Sequence, residues 1–250
     1  EYIIGDVELF LEVIYEKKKE FFEEVIDKYQ QYLVEKMVNG SPNVSVKEFN
    51  FDYAKNTFIS KYPQLLEKIE KSIFYHMRFQ FNKDKLTKEG TMEIPFKDSY
   101  RSQLLQIYFL GLTLSALLPR EEALNLSKIH IIRKWEKPPL RPTEIDNLEE
   151  FEGINQENRV IRTHKRHGLM GEGRYILKIE RCLYGEVVQD LEDLELAYTH
   201  ECYIDHVLPT MKNKNFVLTR TKTVMQGDSY CDICYHDKRI VKEVIHPSDE

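Results

Sequence analysis

The chain has 250 residues, with 36 Lys and Arg against 42 Asp and Glu, and a net charge of −6. Hydrophobic residues at 42% and charged residues at 31% exclude a disordered or fibrous chain, and the length suffices for a full hydrophobic core. An acidic balance gives no long-range attraction for nucleic acid or anionic lipid, so neither is an expected partner.

From Asp6 to Val38 the pattern is helical, with Phe10, Ile14, Phe21, Val25, Tyr29, Leu33 and Met37 recurring at near multiples of four. Asn39-Gly40-Ser41-Pro42 should stop that helix, since Gly or Asn accepts the left-handed end and Pro forbids continuation. A connector from Val44 to Tyr62 follows. A second helix is predicted from Pro63 to about Phe81, its stripe formed by Leu66, Ile69, Ile73 and Met77. Ser99 to Leu118 reads as a third helix, apolar on most faces and therefore central. Its apolar run from Leu104 is interrupted by Gln106, Gly111, Thr113 and Ser115, and falls short of the roughly 20 apolar residues that span a membrane. Arg120 to Trp135 continues as another helix after Pro119.

Lys137-Pro138-Pro139-Leu140-Arg141-Pro142 is the sharpest break in the chain, and the acidic stretch Glu144 to Glu157 extends it as a loop or linker. The expected organisation is a helical part over 1–136, a linker over 137–158 and a mixed part over 159–250. Arg159 to His164 is a possible strand, and the basic stretch Arg162 to His167, with His164 and His167, is expected to be a solvated loop, with an anion-contacting loop as the sharper alternative. After Gly171-Glu172-Gly173, Arg174 to Tyr184 alternates as a strand. Val187 to Met211 has helical period. Phe216 to Met225 alternates again, Gln226-Gly227-Asp228-Ser229 reads as a tight turn, and Tyr230 to His236 is the return strand. The fold class is therefore α+β: a helical N-terminal half packed on a small antiparallel sheet, with one long helix in the C-terminal half.

The four cysteines, Cys182, Cys202, Cys231 and Cys234, all lie in the last third, which is not how a disulfide scaffold staples a core. Free thiols in a reducing, cytoplasmic setting are expected, and no export signal is visible. Leu191, Leu194, Tyr198, Cys202 and Asp205 fall along one helical stripe, which places an ionisable carboxylate among core-facing residues. Arg220 shares a strand face with Phe216 and Leu218, from which its fork can pair with Asp205 or hold a substrate carboxylate. Thr221 and Thr223 project to the opposite face. Cys231, Ile233 and Tyr235 share one face of the return strand, and Asp232, Cys234 and His236 the other. Cys231-Asp232-Ile233-Cys234 therefore spells CxxC without its geometry, and neither a metal nor another cofactor is expected. His200 and His206 sit off the apolar stripe, as surface positions. Strings for a P-loop, a dinucleotide fold, a zinc protease or a nucleophile elbow are missing.

The ordered residues Cys202-Tyr203-Ile204-Asp205, Arg220-Thr221-Lys222-Thr223, Gly227 and Cys231-Asp232-Ile233-Cys234-Tyr235, with Cys182 ending the preceding strand, resemble the L-2-amino-thiazoline-4-carboxylate hydrolase family. The resemblance covers residues 174–236, with Ile233 where the family usually has Phe. It implies hydrolytic opening of a small nitrogen heterocycle in cysteine-type metabolism, with no cofactor and a small-molecule substrate as partner. On that reading Cys202 or Cys231 is the nucleophile, Asp205 or Asp232 transfers the proton, and Arg220 holds a carboxylate, with Thr221, Thr223 and Cys182 beside the substrate. The closing segment Gly227 to Ile233 also resembles 4-vinyl reductase-type small-molecule-binding domains, which implies a ligand sensor without turnover.

Overall fold

The computed structural model describes residues 2–38, 57–77, 95–138, 143–157 and 163–247, and the chain forms two compact units, Glu1–His130 and Ile131–Glu250. The first is helical: α1 (Tyr2–Lys17), α2 (Phe22–Glu35), α3 (Pro63–His76), α4 (Phe96–Leu117) and the larger part of α5 (Arg120–Glu136). As its composition requires, α4 is buried on most faces, from Leu104 through Leu110 and again at Leu114. The Tyr29 hydroxyl donates to the Gln106 carbonyl at 3.0 Å, and Ser102 Oγ donates to the Ile73 carbonyl at 2.8 Å, so α2 and α3 are each tied to α4. Asp6 and His130, both buried, lie 2.9 Å apart and join α1 to α5.

The first predicted helix is two helices. Lys18 leaves the helical region (φ −142°), and a 3₁₀ turn at Lys19–Phe21 shifts the phase before α2 begins. Phe22 is consequently buried at 1% exposure, whereas Phe21, assigned to the apolar stripe, stands 37% exposed. The stop at 39–42, the connector through residue 56, the end of the second helix beyond Met77 and the strand residues 159–162 lie outside the described residues.

The second unit is built on a four-stranded antiparallel sheet of order β1-β2-β4-β3, formed by β1 (His164–Gly171), β2 (Arg174–Cys182), β3 (Phe216–Arg220) and β4 (Cys231–Asp237). With the helices of the first unit this is an α+β protein. The inner sheet face carries Tyr175, Leu177 and Ile179 of β2, Cys231, Ile233 and Tyr235 of β4, and Phe216 and Leu218 of β3 in one core cluster.

Three expectations are corrected here. Leu148–Glu157, placed in the linker, is a helix, α6, whose Leu148 and Phe151 complete that core together with Ile145. Asn147 caps it by accepting from the Glu150 N–H at 2.8 Å. The basic stretch is not a loop, because His164 to Gly171 forms the edge strand β1. The single long helix over 187–211 is two: after a short α7 (Leu183–Glu186) that precedes it come α8 (Leu194–Glu201, capped by Asp193) and α9 (Ile204–Lys212).

β1 and β2 are joined by Glu172 (φ 52°) and Gly173 (φ 73°), the two left-handed residues of a tight hairpin turn. A Cβ on Gly173 would lie 2.6 Å from that of Ile240, so the position also needs the missing side chain. Lys165 pairs with Arg181 and Arg166 with Ile179, leaving Glu180 as a surplus residue. Such a bulge reverses the parity of the strand. Odd-numbered residues of β2 face the core before it, and Cys182 faces the core after it.

Candidate active site

Arg220, at the end of β3, is the centre of the polar groups on the inner face. Its side chain is 4% exposed, and the Asp205 side chain 33%. Nη1 donates to Asp205 Oδ2 at 2.9 Å, while Nη2 donates to the Tyr198 hydroxyl at 2.7 Å and to the Cys202 carbonyl at 3.1 Å. His206 Nε2 lies 3.3 Å from the same Nη2 and 3.0 Å from the Tyr198 hydroxyl. A guanidinium only donates, so that imidazole nitrogen carries a lone pair and the tyrosine proton points to it. Burial and the Arg220 charge both hold His206 below its ordinary pKa, consistent with a neutral ring.

The helix break makes this arrangement possible. Cys202 N–H and Tyr203 N–H both return to the Tyr198 carbonyl, at 2.7 and 3.2 Å, closing α8. His206 N–H donates to Tyr203 instead of Cys202, so the Cys202 carbonyl accepts from Asp205 N–H at 3.2 Å and takes Arg220 as its second donor. An unbroken helix would have given it the His206 N–H instead. The predicted surface positions are corrected as well: His200 is buried, and His206 is half-buried within the Arg220 network.

The thiols gather on the same side. Cys231 raises the pKa of Cys182, and both raise that of Cys202, which also feels Asp205 and Arg220. Burial, then the Asp205 charge, pushes the Cys202 thiol well above its usual range despite Arg220. Burial pushes Cys182 up to about 11, opposed by the Gly185 and Tyr184 N–H groups. Cys182 Sγ accepts from Gly185 N–H at 3.4 Å and lies 3.4 Å from His164 Nε2. Cys231 Sγ accepts from Val224 N–H at 3.2 Å and donates to Thr223 Oγ1 at 3.6 Å.

The remaining predicted residues separate from this group. β3 ends at Arg220 rather than continuing to Met225, because Thr223 caps a 3₁₀ turn (Val224–Gln226) that Gly227 terminates. Thr223 is thus buried beside Cys231, while Thr221 is exposed at the sheet margin. Asp232 faces outward. Its Oδ1 accepts from Thr221 N–H at 2.8 Å and Lys222 N–H at 2.6 Å, and its Oδ2 from the Thr221 hydroxyl. His246 Nε2 adds a contact at 3.1 Å. Burial opposes ionisation of Asp232, but these hydrogen bonds outweigh it and hold the carboxyl below its ordinary pKa. Thr219 Oγ1 bridges His236 Nε2 at 2.8 Å and His246 Nδ1 at 2.9 Å on that same outer face.

An open cleft of about 720 Å³ lies over the inner face at the β1 edge, its walls including Glu152, His164, Arg166, Tyr175 and Leu177. Gly168 in its wall makes room for the Tyr175 ring, which a Cβ there would meet at 2.9 Å. Among the described residues no cluster of His, Cys, Asp and Glu has the arrangement of a metal site, and no helix is long and apolar enough to cross a membrane.

Residues 142–235 match the family model described as L-2-amino-thiazoline-4-carboxylic acid hydrolase. The matched segment is the C-terminal part in which the resemblance was read, and it extends forward to include α6, the helix that completes the sheet's core. No curated protein and no solved structure matches the chain.

Proposed function

We propose that the C-terminal unit hydrolyses a small nitrogen heterocycle, a cyclic isothiourea or amidine-like ring, through a thiol of the inner face. The observation that carries this reading is the buried Arg220 holding Asp205 and the Cys202 carbonyl, with Cys182 and Cys231 close enough to Cys202 to raise its pKa, within a segment matching a hydrolase family. Cys202 or Cys231 takes the nucleophile's part, as the sequence resemblance implies, and attacks the electrophilic ring carbon. Asp205, paired yet reaching solvent, is better placed than Asp232 to move a proton, because the acceptor positions of Asp232 are taken by Thr221, Lys222 and His246. Arg220 is already engaged by Asp205, Tyr198 and the Cys202 carbonyl, so it would hold a substrate carboxylate only by sharing or exchanging those partners.

A second reading, a ligand-binding domain without turnover, draws on the raised thiols and on Cys182 and Cys231 lying in the core cluster, as packing residues do. Replacing each cysteine in turn and assaying a panel of thiazolines, hydantoins and lactams separates the two. Loss of hydrolysis in one variant is the expected result; full activity in every variant defeats the covalent mechanism, and binding without turnover establishes the sensor.

A further inference from the structure

The thiol that acts must find a base, since burial keeps Cys182 and Cys202 protonated at neutral pH. One of them has a histidine. His164 and Cys182 are directly cross-strand partners: His164 reaches the inner face by alternation with Arg166 and Gly168, and the Glu180 bulge brings Cys182 to the same side. His164 Nε2 lies 3.4 Å from Cys182 Sγ, and its Nδ1 lies 2.9 Å from Thr163 Oγ1. The Tyr184 ring stands edge-on to the imidazole at 5.2 Å and fixes its plane. When the thiol donates to Nε2, Nδ1–H donates to the threonine, which is the order nucleophile, base, orienting group.

The cleft meets the pair at His164, which is part of its wall; Cys182, 7% exposed, is not itself in that wall. In the same wall, two residues along β1, Arg166 Nη2 stands 3.7 Å from Glu152 Oε1, a long contact that a ligand carrying its own carboxylate can replace.

We propose that Cys182 is the nucleophile of the C-terminal unit, with His164 as its base, Thr163 as the group that orients the imidazole, and Arg166 as the anchor for a carboxylate on a small electrophile entering by this cleft. The proposal rests on the hydrolytic reading and assigns its chemistry to a different thiol. As Sγ bonds to the ring carbon, its proton passes to His164 Nε2. The bond from that carbon to a ring heteroatom breaks, and the leaving atom takes the proton back. Water then adds to the thiol-bound carbon, giving a proton to His164. The carbon–sulfur bond breaks, and Cys182 recovers its proton as the opened product leaves.

The test is thiol labelling of the full chain at neutral pH with iodoacetate and iodoacetamide, with the modified cysteine identified by peptide mass spectrometry. Cys182 should react faster with the anionic reagent, and H164Q should slow its labelling by about tenfold or more without changing Cys202 or Cys231. R166Q should erase the preference for iodoacetate alone. T163V, which keeps the side-chain shape, should give a smaller loss and serves where H164Q does not fold. C182S preserves the acceptor for Gly185 and should lower ring hydrolysis by about 10² or more. Cys182 labelling that is indifferent to His164 or Thr163 overturns the proposal. Hydrolysis that survives C182S but not C202A overturns it too, while leaving the hydrolase reading intact. Base-dependent labelling of Cys182 without turnover of any ring supports the reactive pair and removes the proposed function instead.

Discussion

On the inner face of β4, Cys231, Ile233 and Tyr235 point into the core shared with Phe151 and Phe216; on the outer face, Asp232, Cys234 and His236 lie one residue out of step. The two faces stabilise charge differently. Inside, one guanidinium gathers a carboxylate, a phenol, an imidazole and a backbone carbonyl. Outside, the carboxylate is stabilised chiefly by the hydroxyl of Thr221 and the N–H groups of Thr221 and Lys222, with His246 adding to them. A centre organised by one cation fails as a whole when that cation goes, whereas one organised by several weak donors fails by degrees.

Removing the cation sets the faces furthest apart. R220M should cost about 3 kcal/mol in urea denaturation, since it removes the donors to Asp205, Tyr198 and the Cys202 carbonyl together, leaving Tyr198 with His206, the carbonyl with the Asp205 N–H, and Asp205 rescued in part by water. A loss below that of any outer-face variant would erase the contrast. R220K keeps the charge without the fork and should fall between.

D232N comes next, at about 1–2 kcal/mol, because the amide can replace only part of the acceptor set. The wild-type carboxyl is held below its unfolded pKa, so its contribution is fully present above that value and is lost as pH falls through the lower folded one. D232N should therefore flatten the acid limb of the stability curve; an unchanged limb would show the hydrogen bonds to be without energetic effect. The smallest expected change is T219V, about 1 kcal/mol or less, which removes the hydroxyl between His236 and His246. Its signature is local: amide exchange should quicken over residues 241–247 with the inner face unaffected.

Much of this was legible in the residues. Alternation located β2 and β4 and sorted β4 into its two faces, and the parity of Phe216, Leu218 and Arg220 brought Arg220 to Asp205. The misses have physical causes. β1 is an edge strand of His, Lys, Arg and Gly, so neither apolar alternation nor β-propensity marks it, and His164 went with it. α6 looked like linker because of its acidic residues, although Asn147 followed by Glu150 was a capping signature in plain view. The break between α8 and α9 leaves the apolar period nearly intact while reorienting Tyr198 and His206, which periodicity cannot register.

Glu180 has the broadest consequence of any single position in the sheet. One supernumerary residue, whose own side chain reaches out to Lys165, decides on which side of the ladder the sulfur two places later emerges. The location of that sulfur is thus a matter of counting, not of chemical identity. Excising Glu180 would leave every cysteine and histidine of the chain in place and still present Cys182 to the wrong side, so relatives of this unit are better aligned by spacing through that kink than by the residues flanking it.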